Sequence, residues 1–451
     1  MSTALAEKVY VGMGATPHEA GVAFRVWAPH ADAVYVMGSF NDWSSDAHPM
    51  VKEGDGYWYA DIPSAAVGAE YRYRILSGDK ELVRIDPYAR QVTSSVGNAV
   101  IYDPHFDWEG DDFHLPAVNE LVIYEMHLGT FHDKEDGKSD KFEEAVQKLD
   151  HLQRLGVNVM EVMPLAQFAG ELSWGYNPSC VFAVETNYGG PAGFKRFVKA
   201  VHRAGLRSLD SVRGAIEGRF NGDPFQRVIY SESHDEVANG KARVASEIDP
   251  HDPDSWFAQK RTTLAAALVL TAPGIPMLFQ GQEFLEDGWF QDSVPLDWHK
   301  SEEFSGLVRM YRDLIRLRLN RSGSTRGLSG SGLNTFHQNQ ADDVIAYHRW
   351  HQGGPGDDVV VVVNLSHLAH ENYKLGFPSP GTWRLRLNSD WTGYSRAFGN
   401  QACSDVVAAA EPHNQPHDAG AAPRDGFPAL GTIAIGPYSV LVFSQDLFLT
   451  Q

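Results

Sequence analysis

The chain is short of cysteine, of basic residues and of long apolar runs, and each shortage removes a class of function. Cys180 and Cys403 are its only cysteines in 451 residues. They lie far apart and in no metal-ligating spacing, which excludes a disulfide framework and a zinc ribbon. No constellation with metal-ligand spacing occurs elsewhere, so neither a metal nor another cofactor is expected. Lys and Arg number 38 against 58 Asp and Glu, a formal charge of −20. Such a chain lacks the basic face that nucleic-acid phosphates require. The longest apolar run, around residues 264–270, is far shorter than a membrane span. The N-terminal stretch has no apolar core of the kind a secretory leader carries, and a cytoplasmic location is expected.

What is present suits a well-packed enzyme: 43% hydrophobic and 11% aromatic residues, in a chain long enough for two or three domains. Residues 1–110 read as short strands between turns. Val22-Ala-Phe-Arg-Val-Trp27, Ala33-Val-Tyr-Val-Met37, Tyr57-Trp-Tyr-Ala-Asp-Ile62 and Tyr71-Arg-Tyr-Arg-Ile75 all alternate, which predicts a β-sandwich. Trp27, Trp43, Trp58, Tyr71 and Tyr73 are either core or a platform on which sugar rings stack, because an aromatic face suits the apolar face of a pyranose.

A Pro- and Asp-containing linker, 103–119, precedes a change of pattern. Residues 120–127 form a near-continuous apolar run ending in polar residues, as a buried parallel strand does. Phe142, Ala145, Val146, Leu149 and Leu152 recur at helical spacing up to Gly156, and a second strand follows over 157–164. Another helix is predicted over 193–205, a strand over 227–230, a helix over 256–271, a strand over 274–280 and an amphipathic helix through Phe304, Leu307, Tyr311 and Ile315. About four strand–helix units result over 120–322, where a closed (β/α)8 barrel needs eight. Residues 323–451 return to β, with strands over 343–350, 359–365, 382–387 and 432–443 and a loop-like stretch over 399–430; a second sandwich is expected. The fold class is thus multidomain, two β-sandwiches flanking an incomplete (β/α)8-type barrel.

The chemistry gathers where the strand beginning at Val228 runs into Glu232-Ser-His-Asp-Glu236. His234 and Asp235 then sit at the C-terminal edge of the parallel sheet, where barrel enzymes keep their active sites. With Phe24-Arg-Val-Trp-Ala-Pro-His-Ala31, Gly38-Ser-Phe-Asn-Asp-Trp43, Ile123-Tyr-Glu-Met-His-Leu-Gly129, Trp174-Gly-Tyr-Asn-Pro178, Phe279-Gln-Gly-Gln-Glu-Phe284 and Pro295-Leu-Asp-Trp298, the chain resembles the α-amylase superfamily of glycoside hydrolases. Within it the resemblance is to 1,4-α-glucan branching enzymes and, second, to glycosyltrehalose trehalohydrolases. It implies that the motifs belong to a starch-binding-type sandwich, to barrel strands one, seven and eight, and to the loop after strand two. It also implies an α-glucan as partner. Asp235 would hold substrate hydroxyls and stabilise the transition state, with His234 bonding a hydroxyl beside it. Tyr176 would stack under the sugar, Trp174 and Asn177 would shape that wall, and Trp43 and Trp58 would bind glucan on the sandwich. Glu125 and Glu283 are expected to orient strand ends.

The sequence departs from that family at its centre. The retaining mechanism needs a nucleophilic carboxylate and an acid about 5–5.5 Å apart, expected after strands four and five, and neither motif is intact. In Gly205-Leu-Arg-Ser-Leu-Asp-Ser-Val212, Arg207 and Asp210 stand three apart where the family has a spacing of two, which on a strand puts them on opposite faces. Asp210 is the nearest candidate for the nucleophile, and the simpler role for it is a helix N-cap ahead of a helix over 210–219. An internal deletion with its junction at 206–209, removing strands three to six, accounts for the pattern. Three outcomes are carried forward: a branching enzyme by descent with impaired chemistry, a non-catalytic α-glucan-binding protein, and a chain with no function. A trehalohydrolase-type hydrolase is the alternative within the first.

Overall fold

The computed structural model describes residues 10, 12–111, 116–133, 140–204, 223–410 and 424–447. Residues 205–222, with Arg207, Asp210 and the expected junction and helix, lie outside the described residues. The chain divides into two compact units: Met1–Asp112 with Asp133–Gln147 and Met163–Ala200, and Phe113–His132 with Lys148–Val162 and Val201–Gln451.

In the first unit two antiparallel sheets enclose a core. One runs Gly14–His18, Gly21–Trp27, Tyr57–Ile62, Val51–Gly54; the other joins Ala33–Gly38, Glu70–Ser77 and Lys80–Arg84, with Ala99–Val100 added to Glu70–Ser77. Alternation points Val22, Phe24 and Val26 inward from one sheet and Val34 and Val36 from the other. Burying each such side chain stabilises the fold by roughly 1.5–3 kcal/mol. Tyr71 and Tyr73 are core residues whose hydroxyls donate to the buried Asp86 at 2.6 and 3.2 Å. The same alternation corrects one expectation. Trp58 faces inward with Ala60 and Ile62 and is only 5% exposed, its indole N–H donating to the Ala28 carbonyl at 3.0 Å. It is a core residue and offers no open face.

The second unit is built on four parallel strands: β1 (Ile123–Met126), β2 (Val159–Val162), β3 (Val228–Ile229) and β4 (Ile275–Phe279), in the order β2-β1-β4-β3. Every residue of β1 and β4 is buried, as their unbroken apolar runs require of strands covered on both faces. The helices of this unit include α1 (Leu149–Leu155), α2 (Trp256–Thr271) and α3 (Ser305–Arg318). The helical run expected from Phe142 to Gly156 is two helices, because the helix Lys141–Val146 ends before α1 begins. Gly156 ends α1 in the left-handed region, φ 98°, a conformation that favours glycine.

The C-terminal region is all-β: eight strands in one antiparallel path, Gly332–Asn339, Val344–Trp350, Val359–Asn364, Ser439–Ser444, Gly381–Asn388, Val406–Ala410, Ala429–Ile435, His370–Phe377. Val360, Val362, Trp383, Phe377 and Phe443 form its core. The 399–430 stretch is therefore not wholly loop, since it contains the strand Val406–Ala410. The expected 432–443 strand is two, broken at Gly436-Pro-Tyr438, with Tyr438 at φ 43°. Strands Gly332–Asn339 and His370–Phe377 escaped the sequence reading. Two buried guanidiniums meet the C-terminal end of α2, one from α3 and one from this region. Arg318 donates to the carbonyls of Ala272 (2.9 Å) and Gly274, and Arg349 to those of Thr271, Leu328, Gly330 and Gly332. At Thr271 and Ala272 they meet carbonyl groups that the C-terminus of α2 leaves unpaired, where positive charge is favoured.

Candidate active site

Parallel register decides which polar residues meet. Glu125 of β1 stands level with Glu161 of β2 on one side and with Phe279 of β4 on the other. Beyond Ile229 the chain turns at once, so the polar run after β3 is delivered to the same C-terminal edge. That turn is anchored by Glu232, which accepts from the Arg243 guanidinium at 3.2 Å and from the Val244 amide at 2.9 Å. Arg243 in turn donates to the carbonyl of Gln280 just past β4 at 2.9 Å, which fixes the turn against its neighbour strand.

So held, His234 lies over Glu125. Its Nδ1 is 2.5 Å from one Glu125 carboxylate oxygen, and its backbone amide donates to the other at 3.1 Å. Its Nε2 stands 3.6 Å from Asp235. Burial lowers the His234 pKa, but hydrogen bonding to Glu125 and the charges of Glu125, Asp235 and Glu161 outweigh it, so the net shift is upward. Asp235, by contrast, is open, its side chain 75% exposed. Glu161 completes the group: burial, and then the neighbouring Glu125 charge, push its carboxyl up to about 7. Glu161 is thus a proton donor poised near neutrality, the property a general acid needs. It was missed in the sequence, where a lone carboxylate near the end of an apolar strand was the available signal.

Glu283 does not join this cluster. It is wholly buried and accepts from the Tyr124 hydroxyl at 3.1 Å, with His151 Nε2 at 2.8 Å. His127, two residues after Glu125, serves the turn past β4, its amide donating to the Gln280 side chain at 2.8 Å.

Trp174, Tyr176 and Asn177 occupy a loop of the first unit. Gly175 is required there, since its φ is 89° and a Cβ would come within 2.1 Å of the Pro164 carbonyl. Ser173 Oγ bonds Asn177 at 2.5 Å, and Tyr176 is 59% exposed. Trp43 is half-buried at a left-handed turn, φ 60°. Among the described residues no cluster of His, Cys, Asp and Glu is arranged to hold a metal ion, and no helix is long and apolar enough to cross a membrane.

Two family profiles match the flanks of the chain: Carbohydrate-binding module 48 (Isoamylase N-terminal domain) over residues 12–89, and Alpha amylase, C-terminal all-beta domain over residues 336–445. The 1,4-alpha-glucan branching enzyme GlgB of Corynebacterium jeikeium is 25% identical over 571 residues, covering 87% of this chain and 79% of that protein. The enzyme of the same name from Salinibacter ruber is 33% identical over 240 residues, 50% of this chain and 38% of that one. The malto-oligosyltrehalose trehalohydrolase of Saccharolobus solfataricus is 35% identical over 189 residues, 42% of this chain and 32% of that one.

By these matches the chain is similar to proteins of the α-amylase superfamily, with its two flanks matched by family profiles.

Solved structures share the fold. Pullulanase type I from Bacillus subtilis superposes with a TM-score of 0.71 at 17% identity, over 97% of this chain and 86% of that one. Pullulanase from Bacillus acidopullulyticus gives 0.69 at 16%, over 98% and 76%. The Corynebacterium jeikeium alignment, 571 residues long, is longer than this 451-residue chain itself, so it runs past stretches of the relative that have no counterpart here.

Proposed function

We propose that this chain is a 1,4-α-glucan branching-enzyme-like protein of cytoplasmic α-glucan metabolism that binds α-glucan but performs negligible branching. Its ancestry is read as that of a retaining enzyme, cleaving an α-1,4 bond and passing the chain to a 6-hydroxyl. The observation that carries the reading is the strand order. In a closed barrel the second, first, eighth and seventh strands are consecutive, and β2-β1-β4-β3 is that sequence under the motif assignments made from the primary structure. Strands three to six, with the nucleophile and the acid, are what the deletion removes. Asp235 and His234 are then helpers of a reaction whose principal carboxylate is gone.

The magnitude of that loss decides between enzyme and binder. Such enzymes lower their barriers by roughly 8–23 kcal/mol, and most of that depends on groups acting as a unit. Glu161 is able to give a proton, yet it supplies no nucleophile for double displacement. The trehalohydrolase relative supports a hydrolytic alternative, which needs the same nucleophile and so leads to the same null activity.

Binding is separable from chemistry. The ligand is read as a neutral glucan because a chain of charge −20 repels phosphate-rich partners. Trp43, Tyr176, Trp174 and Asn177 are proposed to contact it. Retention on an amylose column tests this: the wild-type protein is held back, and Trp43→Ala elutes earlier with an unchanged unfolding midpoint. Passage of the wild-type protein in the void volume overturns the reading.

A further inference from the structure

We propose that the C-terminal all-β region carries a second α-glucan site of its own, in the cleft walled by Trp391. The identity of the ligand rests on the α-glucan reading above; the site itself stands on its geometry. The cleft has a volume of about 380 Å³, within the range of small-molecule sites. One wall is the Trp391 indole, 43% exposed although it sits on a packed domain. Its plane is fixed from behind. Tyr394 meets it edge-on, ring centroids 5.0 Å apart, and a Cβ at Gly393 would lie 2.4 Å from the ring, so only a bare glycine lets the indole lie where it does.

Beside apolar residues such as Leu385 and Leu387, the polar part of the lining is mostly amide. Asn388, Asn400 and Gln401 face the cleft with Arg386. The Asn400 side-chain oxygen accepts from the Thr392 amide at 3.4 Å, which leaves its amino group to donate. The Gln401 carboxamide enters no hydrogen bond among the described residues and offers both a donor and an acceptor. Arg386 is neutralised by Asp446, so the cleft does not select an anion. A flat aromatic face beside carboxamides suits a neutral ring with one apolar face and equatorial hydroxyls, which describes a glucosyl unit.

The site is also rigid. Asp390 is fully buried at the start of the loop and accepts from the amides of Gly399 (3.2 Å) and Gln401 (2.7 Å). Its own amide donates to Asn388 at 3.0 Å, its carbonyl accepts from Asn400 at 2.9 Å, and Lys260 of α2 bonds its carboxylate at 2.7 Å. Three of the polar residues of the cleft thus hang from one buried carboxylate residue, which lowers the ordering cost of binding.

The test is fluorine NMR of the full chain labelled with 5-fluorotryptophan, the Trp391 resonance being assigned by its loss in Trp391→Phe. Saturable movement of that resonance with maltoheptaose, and not with the β-linked cellohexaose, is expected. Trp391→Ala should weaken affinity for maltoheptaose roughly fivefold, read by isothermal titration calorimetry; should that variant unfold, Gln401→Ala should weaken it likewise, read from its Trp391 resonance. If other tryptophans respond and Trp391 does not, the α-glucan reading stands and this second site is overturned. If no tryptophan responds, both are overturned.

Discussion

Replacing Lys260 by Met removes one half of a fully buried ion pair and leaves the other half charged. Lys260 Nζ and Asp390 are 2.7 Å apart with both side chains 0% exposed, and the ammonium also lies 4.6 Å from the Phe398 ring centroid. Breaking such a pair from one side costs about 3–5 kcal/mol, because the survivor keeps its desolvation penalty without its partner. Two backbone amides remain on Asp390, so the lower end, about 3 kcal/mol, is expected. That lowers the folded-to-unfolded ratio by about two powers of ten. Met fills the space of the lysine stem, so little of the loss comes from a cavity. Urea unfolding followed by tryptophan fluorescence measures it. The double variant Lys260→Met with Asp390→Asn should recover at least about 1 kcal/mol, because the stranded charge is gone. A single variant within about 0.5 kcal/mol of wild type, or a double variant as unstable as the single, refutes the reasoning.

Two further outcomes follow from buried groups. Glu161 has a folded-state pKa raised from 4.5 to about 7 by burial and then by Glu125. Ionising it therefore costs nothing below pH 4.5, costs progressively more as pH rises through 7, and costs most above it. Glu161→Gln should raise the unfolding midpoint at pH 8 and not at pH 5; parallel pH curves for the two proteins would contradict this. His234, raised from 6.5, adds a trend of the same sign, its stabilisation full below 6.5 and lost as pH rises through its folded value. Arg349→Met should destabilise by at least about 3 kcal/mol in the same urea assay, since it strips donors from four carbonyls.

How much of this was legible in the sequence depended on whether a residue's role was set locally. The strands β1 and β4 announced themselves as apolar runs, and α2 matches its expected span, 256–271, because Ser255 caps its first turn with a side-chain bond to the Ala258 amide. His234 and Asp235 were found by motif. Glu161 was not, because its raised pKa comes from the register that sets it beside Glu125, a non-local fact. Trp58 was misplaced for a local reason: strand alternation already pointed it inward with Ala60 and Ile62, and its aromatic character drew the platform reading. The strand His370–Phe377 was hidden by polar residues at its start, His370, Glu371 and Asn372, and by a partner, Ala429–Ile435, distant in sequence. The Trp391 cleft was likewise invisible, since its polar residues hang from Asp390, which pairs with a lysine on α2 far away in sequence.

The central claim is that the chain keeps a glucan binder's surface around a barrel that has lost its nucleophile and acid. Incubation of the purified protein with amylose, followed by enzymatic debranching and a count of new reducing ends, tests it most directly. The account predicts a count indistinguishable from the protein-free control; clear branch formation would contradict it.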